Sequence, residues 1–146
     1  MNTHSADVLV RDMLTRALAV VGLLGIALIH VLDAIPTFSE LPYKGWLYVA
    51  LVVSALAVAG MLVRGGSRRV WALAAGLVAT AILAFVYSRT IGLPSAPDDV
   101  GNWSEPLGVA ALFVEGAVLA VAAHALAVVA PARVAVERGG LRAHPA

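Results

Sequence analysis

The sequence predicts an all-α integral membrane protein, a four-helix bundle formed by one four-span domain over residues 1–146. Only 13% of the residues are charged and 61% are hydrophobic, whereas a soluble domain carries about 25% charged residues. The apolar residues are also gathered into four long runs, each able to cross a hydrocarbon core of about 30 Å. Segments rich in Pro, Gly and polar residues separate these runs, as expected for loops between helices.

The predicted spans begin and end at recognisable residues. They cover about residues 17–35, 46–63, 70–88 and 106–130, with tails at 1–12 and 131–146. The first run stops at Pro36, and it is too long for a signal peptide and lacks a small-x-small cleavage site, so no cleavage is expected. Pro106 suits a first helical turn, with Ser104 or Glu105 as its cap. Pro131 is expected to end the last helix.

The basic residues predict how the chain is threaded, because Lys and Arg collect in the short cytoplasmic loops of membrane proteins. Eight arginines lie near the termini or between the second and third spans: Arg11, Arg16, Arg64, Arg68, Arg69, Arg133, Arg138 and Arg142. Only Lys44 and Arg89 lie on the other side. We therefore expect both termini in the cytoplasm and the 36–45 and 89–105 loops outside. The bias toward Arg over Lys hints at a bacterial source, hence the plasma (inner) membrane.

Several classes of chemistry are unlikely on composition alone. The chain has no cysteine, which excludes thiol catalysis, disulfides and iron–sulfur ligation. Its net charge of +1 gives no reason to expect a nucleic-acid partner. His30 and His124 fall near opposite membrane surfaces, so no haem is expected between them. His124 is also half a helical turn out of phase with Glu115, and we assign it a packing or interfacial role.

Ionisable side chains inside the spans are the main candidates for a site, since burying them in a membrane is costly. His30 and Asp33 share one face of the first span, and Glu115 lies about 13 Å down the fourth. With Arg89 above them they predict a polar ligand or ion pocket. His30, Asp33 and Glu115 are also the candidate metal ligands.

The loop over residues 88–106 completes this predicted pocket. Its turn residues and apolar side chains suggest a lid over the helix ends, and Trp103 and Glu105 join the candidate site residues. Arg89 is expected to pair with Glu115, which would lock spans together without any ligand. The alternative is that Arg89 pairs with Asp98, Asp99 or Glu105, leaving Glu115 protonated or bonded to His30. The other aromatics at span ends, including Trp71, are predicted to be interfacial.

The loop and the start of the fourth span contain sequence motifs that resemble those of other proteins. The motif SRT-x-GLP at residues 88–94, followed by W-x-EPLG at 103–108 and by Glu115, resembles uncharacterised small four-span bacterial membrane proteins. Those proteins tend to have a His near the outer end of their first span, matched here by His30. The resemblance implies the same topology and a role for Arg89, Glu105 and Glu115. It implies no particular chemistry.

The expected function is a non-enzymatic binding or accessory role built on an outward-facing polar pocket. One alternative is an oligomeric proton or cation channel or transporter that uses His30 and Glu115; another is a membrane-embedded enzyme. The second and third spans lack ionisable groups at depth, which disfavours a continuous path within one protomer. No nucleophile–base pair or nucleotide loop is recognisable. The expected partners are the lipid bilayer and either further copies of the chain or another membrane protein.

Overall fold

The computed structural model describes residues 3–141 and, within them, the side chains of residues 6–128. These residues form four α-helices: α1 Thr3–Glu40, α2 Pro42–Arg64, α3 Arg68–Thr90 and α4 Pro106–Leu141. A short 3-10 helix, Pro97–Asp99, lies in the connection between α3 and α4. Each of the four helices contains a segment long and apolar enough to cross a membrane. The prediction of an all-α membrane four-helix bundle is confirmed.

The helices are arranged in a ring, with α1 packed on α2 and α4, and α3 packed on α2 and α4. Because the α1–α2 and α2–α3 connections are only a few residues long, consecutive helices run antiparallel. One end of the bundle therefore carries Leu41 and the 91–105 connection, and we call it the loop end. The other end carries residues 65–67, the beginning of α1 and the end of α4, and we call it the terminal end.

Two helices extend further than predicted. α1 continues through Pro36 to Glu40, and α4 continues through Pro131 to Leu141, so the expectation that these prolines end their helices is wrong. Beside Pro36, the Thr37 hydroxyl donates to the Asp33 carbonyl at 2.7 Å. Proline removes a single helical hydrogen bond, and membrane helices tolerate that loss. Residues 3–12 also belong to α1, while residues 142–146 of the predicted tail lie outside the described residues.

The terminal half of the bundle has a closely packed apolar core. Its fully buried members are mostly small: Ala19, Leu23, Ala55, Leu62, Ala74, Val78 and Ala122. At Gly22 an added Cβ would collide with Val118, which shows how closely α1 approaches α4. Small residues permit this approach where lipid supplies no hydrophobic force between helices.

Trp71 differs from its prediction. It is only 1% exposed and belongs to the apolar core, so its assignment as an interfacial aromatic is wrong. It lies in the first turn of α3, and that turn faces inward. The indole nitrogen lies 2.9 Å from the point where a Cβ on Gly66 would be. The α2–α3 connection therefore folds against Trp71 and closes this end of the bundle.

Candidate ligand pocket

A cavity of about 350 Å³ lies among the helices at the loop end. Its wall includes side chains from all four helices. The polar part of that wall contains His30, Asp33, Tyr48, Arg89, Glu105 and Glu115. Five of the six predicted site residues are therefore brought together, although they are dispersed over three helices and a loop. The sixth, Trp103, does not line the cavity.

His30 and Glu115 face each other across the buried part of the cavity. Their exposed fractions are 8% and 2%. The Nδ1 atom of His30 lies 2.9 Å from the carbonyl oxygen of Ile26, and because a carbonyl only accepts, Nδ1 must be the donor. The other ring nitrogen, Nε2, is left facing Glu115. In a neutral ring it is a hydrogen-bond acceptor.

The carboxyl group of Glu115 has no hydrogen-bond partner among the described side chains and backbone groups. Its nearest basic atom is Nε2 of His30, 3.8 Å from Oε1, and that separation exceeds a hydrogen bond. Buried polar groups are almost always hydrogen-bonded in native proteins. Glu115 is therefore a largely buried carboxyl group that lines the cavity without a hydrogen bond to any described residue.

Arg89 pairs with the loop and not with Glu115. Its Nη1 lies 2.7 Å from Oδ1 of Asp99, and its Nη2 lies 3.7 Å from Oε2 of Glu105. The predicted Arg89–Glu115 pair is therefore wrong, and the alternative pairing nearer the surface is correct. The reason is that the loop turns back over the helix ends. This places two carboxylates beside the guanidinium, above the depth of Glu115.

Asp99 joins a second cation to this network. Lys44, from the first turn of α2, places Nζ 2.6 Å from Oδ2 of Asp99. Burial by itself would raise the pKa of Asp99, but the hydrogen bonds and charges of Lys44 and Arg89 outweigh it and hold the pKa below its ordinary value. The carboxylate thus stays ionised and ties α2, α3 and the loop together.

The guanidinium of Arg89 also rests on an aromatic side chain. Its Cζ lies 4.8 Å from the ring centroid of Phe85, a cation–π geometry. Its Nε is buried and donates no hydrogen bond to any described residue. Trp103 packs edge-on against the other side of this contact, 6.1 Å from Phe85 between ring centroids. Trp103 is 46% exposed. It therefore supports the position of Arg89 from outside, and its predicted place in the pocket is wrong.

The loop covers the pocket as predicted. The Tyr43 hydroxyl donates to the carbonyl of Pro94 at 2.5 Å, and the Gly101 amide donates to the carbonyl of Arg89 at 2.9 Å. Gly101 adopts φ of 78°, a left-handed conformation that glycine adopts without strain. Leu93 contributes directly to the cavity wall. The loop is thus fastened to α2 and α3 and forms a roof.

Glu105 has a structural role in addition to its place on the wall. Its carboxylate accepts hydrogen bonds from the amides of Leu107 at 3.0 Å and Gly108 at 2.5 Å. These amides begin α4 and have no partner within the helix. The prediction that α4 begins at Pro106 is confirmed, and of the two predicted caps, Ser104 and Glu105, the structure selects Glu105. A Cβ on Gly108 would lie 2.5 Å from Cε2 of Phe85 and 2.6 Å from Oε2 of Glu105, so a larger residue there would displace both side chains.

Comparisons of this chain with known protein families, with curated proteins and with solved structures find no match. The function must therefore be argued from the site itself.

Two pocket residues were not recognised from the sequence. Tyr48 places its ring 5.3 Å from His30 between centroids, at 67°, and Lys44 holds the loop through Asp99. Their spacing of four residues puts both on one face of α2, a signal that was available. Conversely, His124 is exposed and far along α4 from the cavity.

The predicted metal ligands do not form a metal site. Among the described side chains, no group of three or more His, Cys, Asp or Glu residues is placed to hold a metal ion. His30 and Glu115 lie close together, but Asp33 does not complete a ligand set with them. What the pocket offers is an imidazole and a carboxyl group, both buried, beneath a roof of charged side chains.

Proposed function

We propose that this chain is a bacterial plasma-membrane protein that binds a small ligand in the pocket beneath the loop and does not catalyse a reaction. The observation that carries the proposal is Glu115, which is buried, lacks a hydrogen bond and borders a cavity. Ionisable residues inside membrane proteins generally mark functional sites. The cavity volume of about 350 Å³ also falls within the range of small-molecule pockets, roughly 300–1,000 Å³.

The pocket is proposed to face outward. The distribution of Lys and Arg in the short loops places the terminal end in the cytoplasm and the loop end outside. Ligand would then come from the outer leaflet or the external medium, and the loop would separate the occupied pocket from water. The chain would act as a binding or accessory unit, alone, with further copies of itself or with another membrane protein.

The apolar core in the terminal half of the bundle favours binding over transport. From the level of Leu23 to that of Leu62 the bundle centre is filled by apolar side chains, and a charged species crossing there would lose its solvation without compensation. An oligomeric channel would need its path between protomers, where His30 and Glu115 do not point. A membrane enzyme is disfavoured because the pocket has no nucleophile activated by a base.

The test is native mass spectrometry of the protein released from membranes, combined with metal analysis. We expect one bound small molecule per protomer. Ala111 lines the cavity and is 6% exposed, so Ala111→Leu should fill part of the pocket and lose this mass. Ala110 is its exposed neighbour and does not line the cavity, so Ala110→Leu should keep it. Equal retention in the wild type and both variants would contradict the proposal.

Glu115→Leu separates a ligand role from a structural role. A buried carboxyl group without a hydrogen bond contributes little to stability, and an apolar residue of similar volume is often neutral or stabilising in its place. We therefore expect Glu115→Leu to lose the bound mass while unfolding no more readily than the wild type. A variant that loses both its fold and its ligand would show that Glu115 is structural.

A further inference from the structure

The cavity is not confined to the polar region. It continues as a slot between α2 and α3, which pack less closely than the other neighbouring helices. Leu51 and Ser54 form the α2 side of this slot, and Leu77 and Ala81 form the α3 side. The residues at its margin, including Thr80, are exposed on the bundle surface. Since that surface faces lipid in a membrane-spanning bundle, the slot opens sideways into the bilayer.

The slot is apolar along its length. Its two hydroxyl groups are already engaged, since Ser54 donates to the carbonyl of Ala50 at 2.7 Å and Thr80 donates to the carbonyl of Gly76 at 2.8 Å. Lys44 and Ser54 mark the two ends of the cavity on α2. They are ten residues apart, which corresponds to about 15 Å of helix. The slot is therefore long, narrow and suited to a hydrocarbon chain.

The polar region of the cavity determines which polar groups a ligand can place there. Both cations on its wall already contact a carboxylate, because Arg89 and Lys44 share Asp99, although Nε of Arg89 makes no hydrogen bond to a described residue. In the buried part of the cavity, the groups available to a ligand are the carboxyl group of Glu115 and Nε2 of His30. In the neutral ring Nε2 accepts hydrogen bonds, and an ionised carboxylate only accepts them. The 3.8 Å gap between them is too long for a direct hydrogen bond, and a ligand donor placed beside both atoms would satisfy them together.

From these observations we propose that the ligand is a single-chain amphiphile. Its head group donates hydrogen bonds, as a hydroxyl or amine does, to Glu115 and His30, and its hydrocarbon chain lies between α2 and α3. This inference rests on the proposed binding function and names the class of ligand. A carboxylate or phosphate head group fits poorly, because it would face Glu115 and Asp33 while the nearby cations are already paired. The cavity volume of about 350 Å³ suits one chain better than a two-chain lipid.

The experiment uses the full chain in phosphatidylcholine nanodiscs with a photoactivatable probe. The probe is dodecanol with a diazirine midway along its chain, and labelled residues are identified by mass spectrometry. We expect labelling at Leu51 and Leu77, suppressed by unlabelled dodecanol or dodecylamine and much less by laurate. The first two competitors distinguish an uncharged from a cationic head group, and competition by either supports the inference. Laurate competing as well as dodecanol would overturn the assignment of the head group.

Variants test the two parts of the ligand separately. Ala81→Leu narrows the slot, and Glu115→Leu removes a head-group acceptor. Leaving the ligand's buried donor unsatisfied weakens binding by at least about fivefold, and we expect slot labelling to fall by that factor or more in Glu115→Leu and to be largely lost in Ala81→Leu. Ala72 is exposed on the same helix away from the cavity, so Ala72→Leu should label like the wild type.

The outcomes separate this inference from the binding function itself. Labelling confined to lipid-facing residues such as Leu83, and equal in all variants, would overturn the amphiphile inference. If the labelling gives that result but native mass spectrometry shows that Ala111→Leu loses a molecule bound to the wild type, the pocket binds a ligand of another class. If neither the slot labelling nor a bound mass depends on the pocket, both the inference and the proposed function fail.

Discussion

The pairing of Arg89 with Asp99 can be measured by a double-mutant cycle. The perturbations are Arg89→Met, Asp99→Asn and their combination. Arg89 is 7% exposed, and the Asp99 side chain is 17% exposed, so their ion pair is largely removed from water. Deleting one partner of a buried pair costs about 3–5 kcal/mol. Lys44 remains beside Asp99 when Arg89 is removed, and Glu105 remains near Arg89 when Asp99 is removed.

These remaining partners set the expected magnitude. Neither single variant leaves a charge wholly unpaired. We therefore expect each single variant to lose about 2–3 kcal/mol of its free energy of unfolding, at the lower end of that range or below it. The double variant should lose less than the sum, with a coupling energy of about 1–2 kcal/mol, as found for contacting residues in one network. Glu115 provides a matched comparison. Arg89→Met with Glu115→Leu should show a smaller coupling energy than Arg89→Met with Asp99→Asn, because Arg89 and Glu115 line the same cavity but share no hydrogen-bond or ion-pair partner.

The assay is reversible unfolding in mixed micelles with increasing denaturing detergent, with helicity followed by circular dichroism. It yields a free energy of unfolding for every member of both cycles under one set of conditions. Additive losses for Arg89 and Asp99, together with strong coupling between Arg89 and Glu115, would refute the described network. They would instead support a salt bridge in the floor of the pocket.

Three further predictions test other parts of the molecule. Gly22→Ala should destabilise the protein by about 1–3 kcal/mol, because its Cβ would collide with Val118 in a packed interface. The Cβ in Gly76→Ala meets nothing within 4 Å, so this variant should be neutral or stabilising by up to about 1 kcal/mol. Similar losses of stability in the two variants would contradict this prediction. Because the folded-state pKa of Asp99 is lowered from 3.8, its ion pairs should stabilise the loop fully above that pH and be lost as the pH falls through the folded value. The protection of the loop amides from hydrogen exchange, relative to the intrinsic rate at each pH, should therefore fall in acid in the wild type, and Asp99→Asn should lack this contribution. A tag inserted at Ser95 should react with an impermeant reagent in intact cells while one at the carboxyl terminus is protected, and the opposite pattern would invert the proposed threading.

The candidate site shows which of its features local sequence patterns predict and which they do not. The sequence places His30 near one end of a helix and Glu115 part-way down another, since depth follows from counting residues at a fixed rise per residue. It also identifies the loop as a cover, because turn-forming and apolar residues alternate there. Choosing the partner of Arg89 required more than depth. Asp99 approaches Arg89 only because the loop folds back, and this fold is held by contacts with α2.

The errors at Trp71 and Tyr48 have a common cause in the rotation of helices about their axes. Trp71 looked interfacial from its position at a span end, but the direction of its side chain depends on how α3 packs against its neighbours. Tyr48, another aromatic at a span end, was predicted to be interfacial for the same reason. Its ring instead packs against His30 at the contact between α1 and α2. Apolarity distinguishes inward from outward faces poorly in a membrane protein, because the lipid-facing and core residues are both hydrophobic.

The sequence by itself determined that this chain is an all-α bundle with four membrane-spanning helices, because hydropathy and length are properties of each segment alone. It also determined the start of α4 at Pro106, because proline suits the first turn of a helix, although it left the cap open between Ser104 and Glu105. Tertiary structure alone decided that Arg89 binds the loop, that Glu115 is left without a partner, and that α2 and α3 separate to form a slot. Those features depend on distances between segments far apart in the chain, and packing sets such distances.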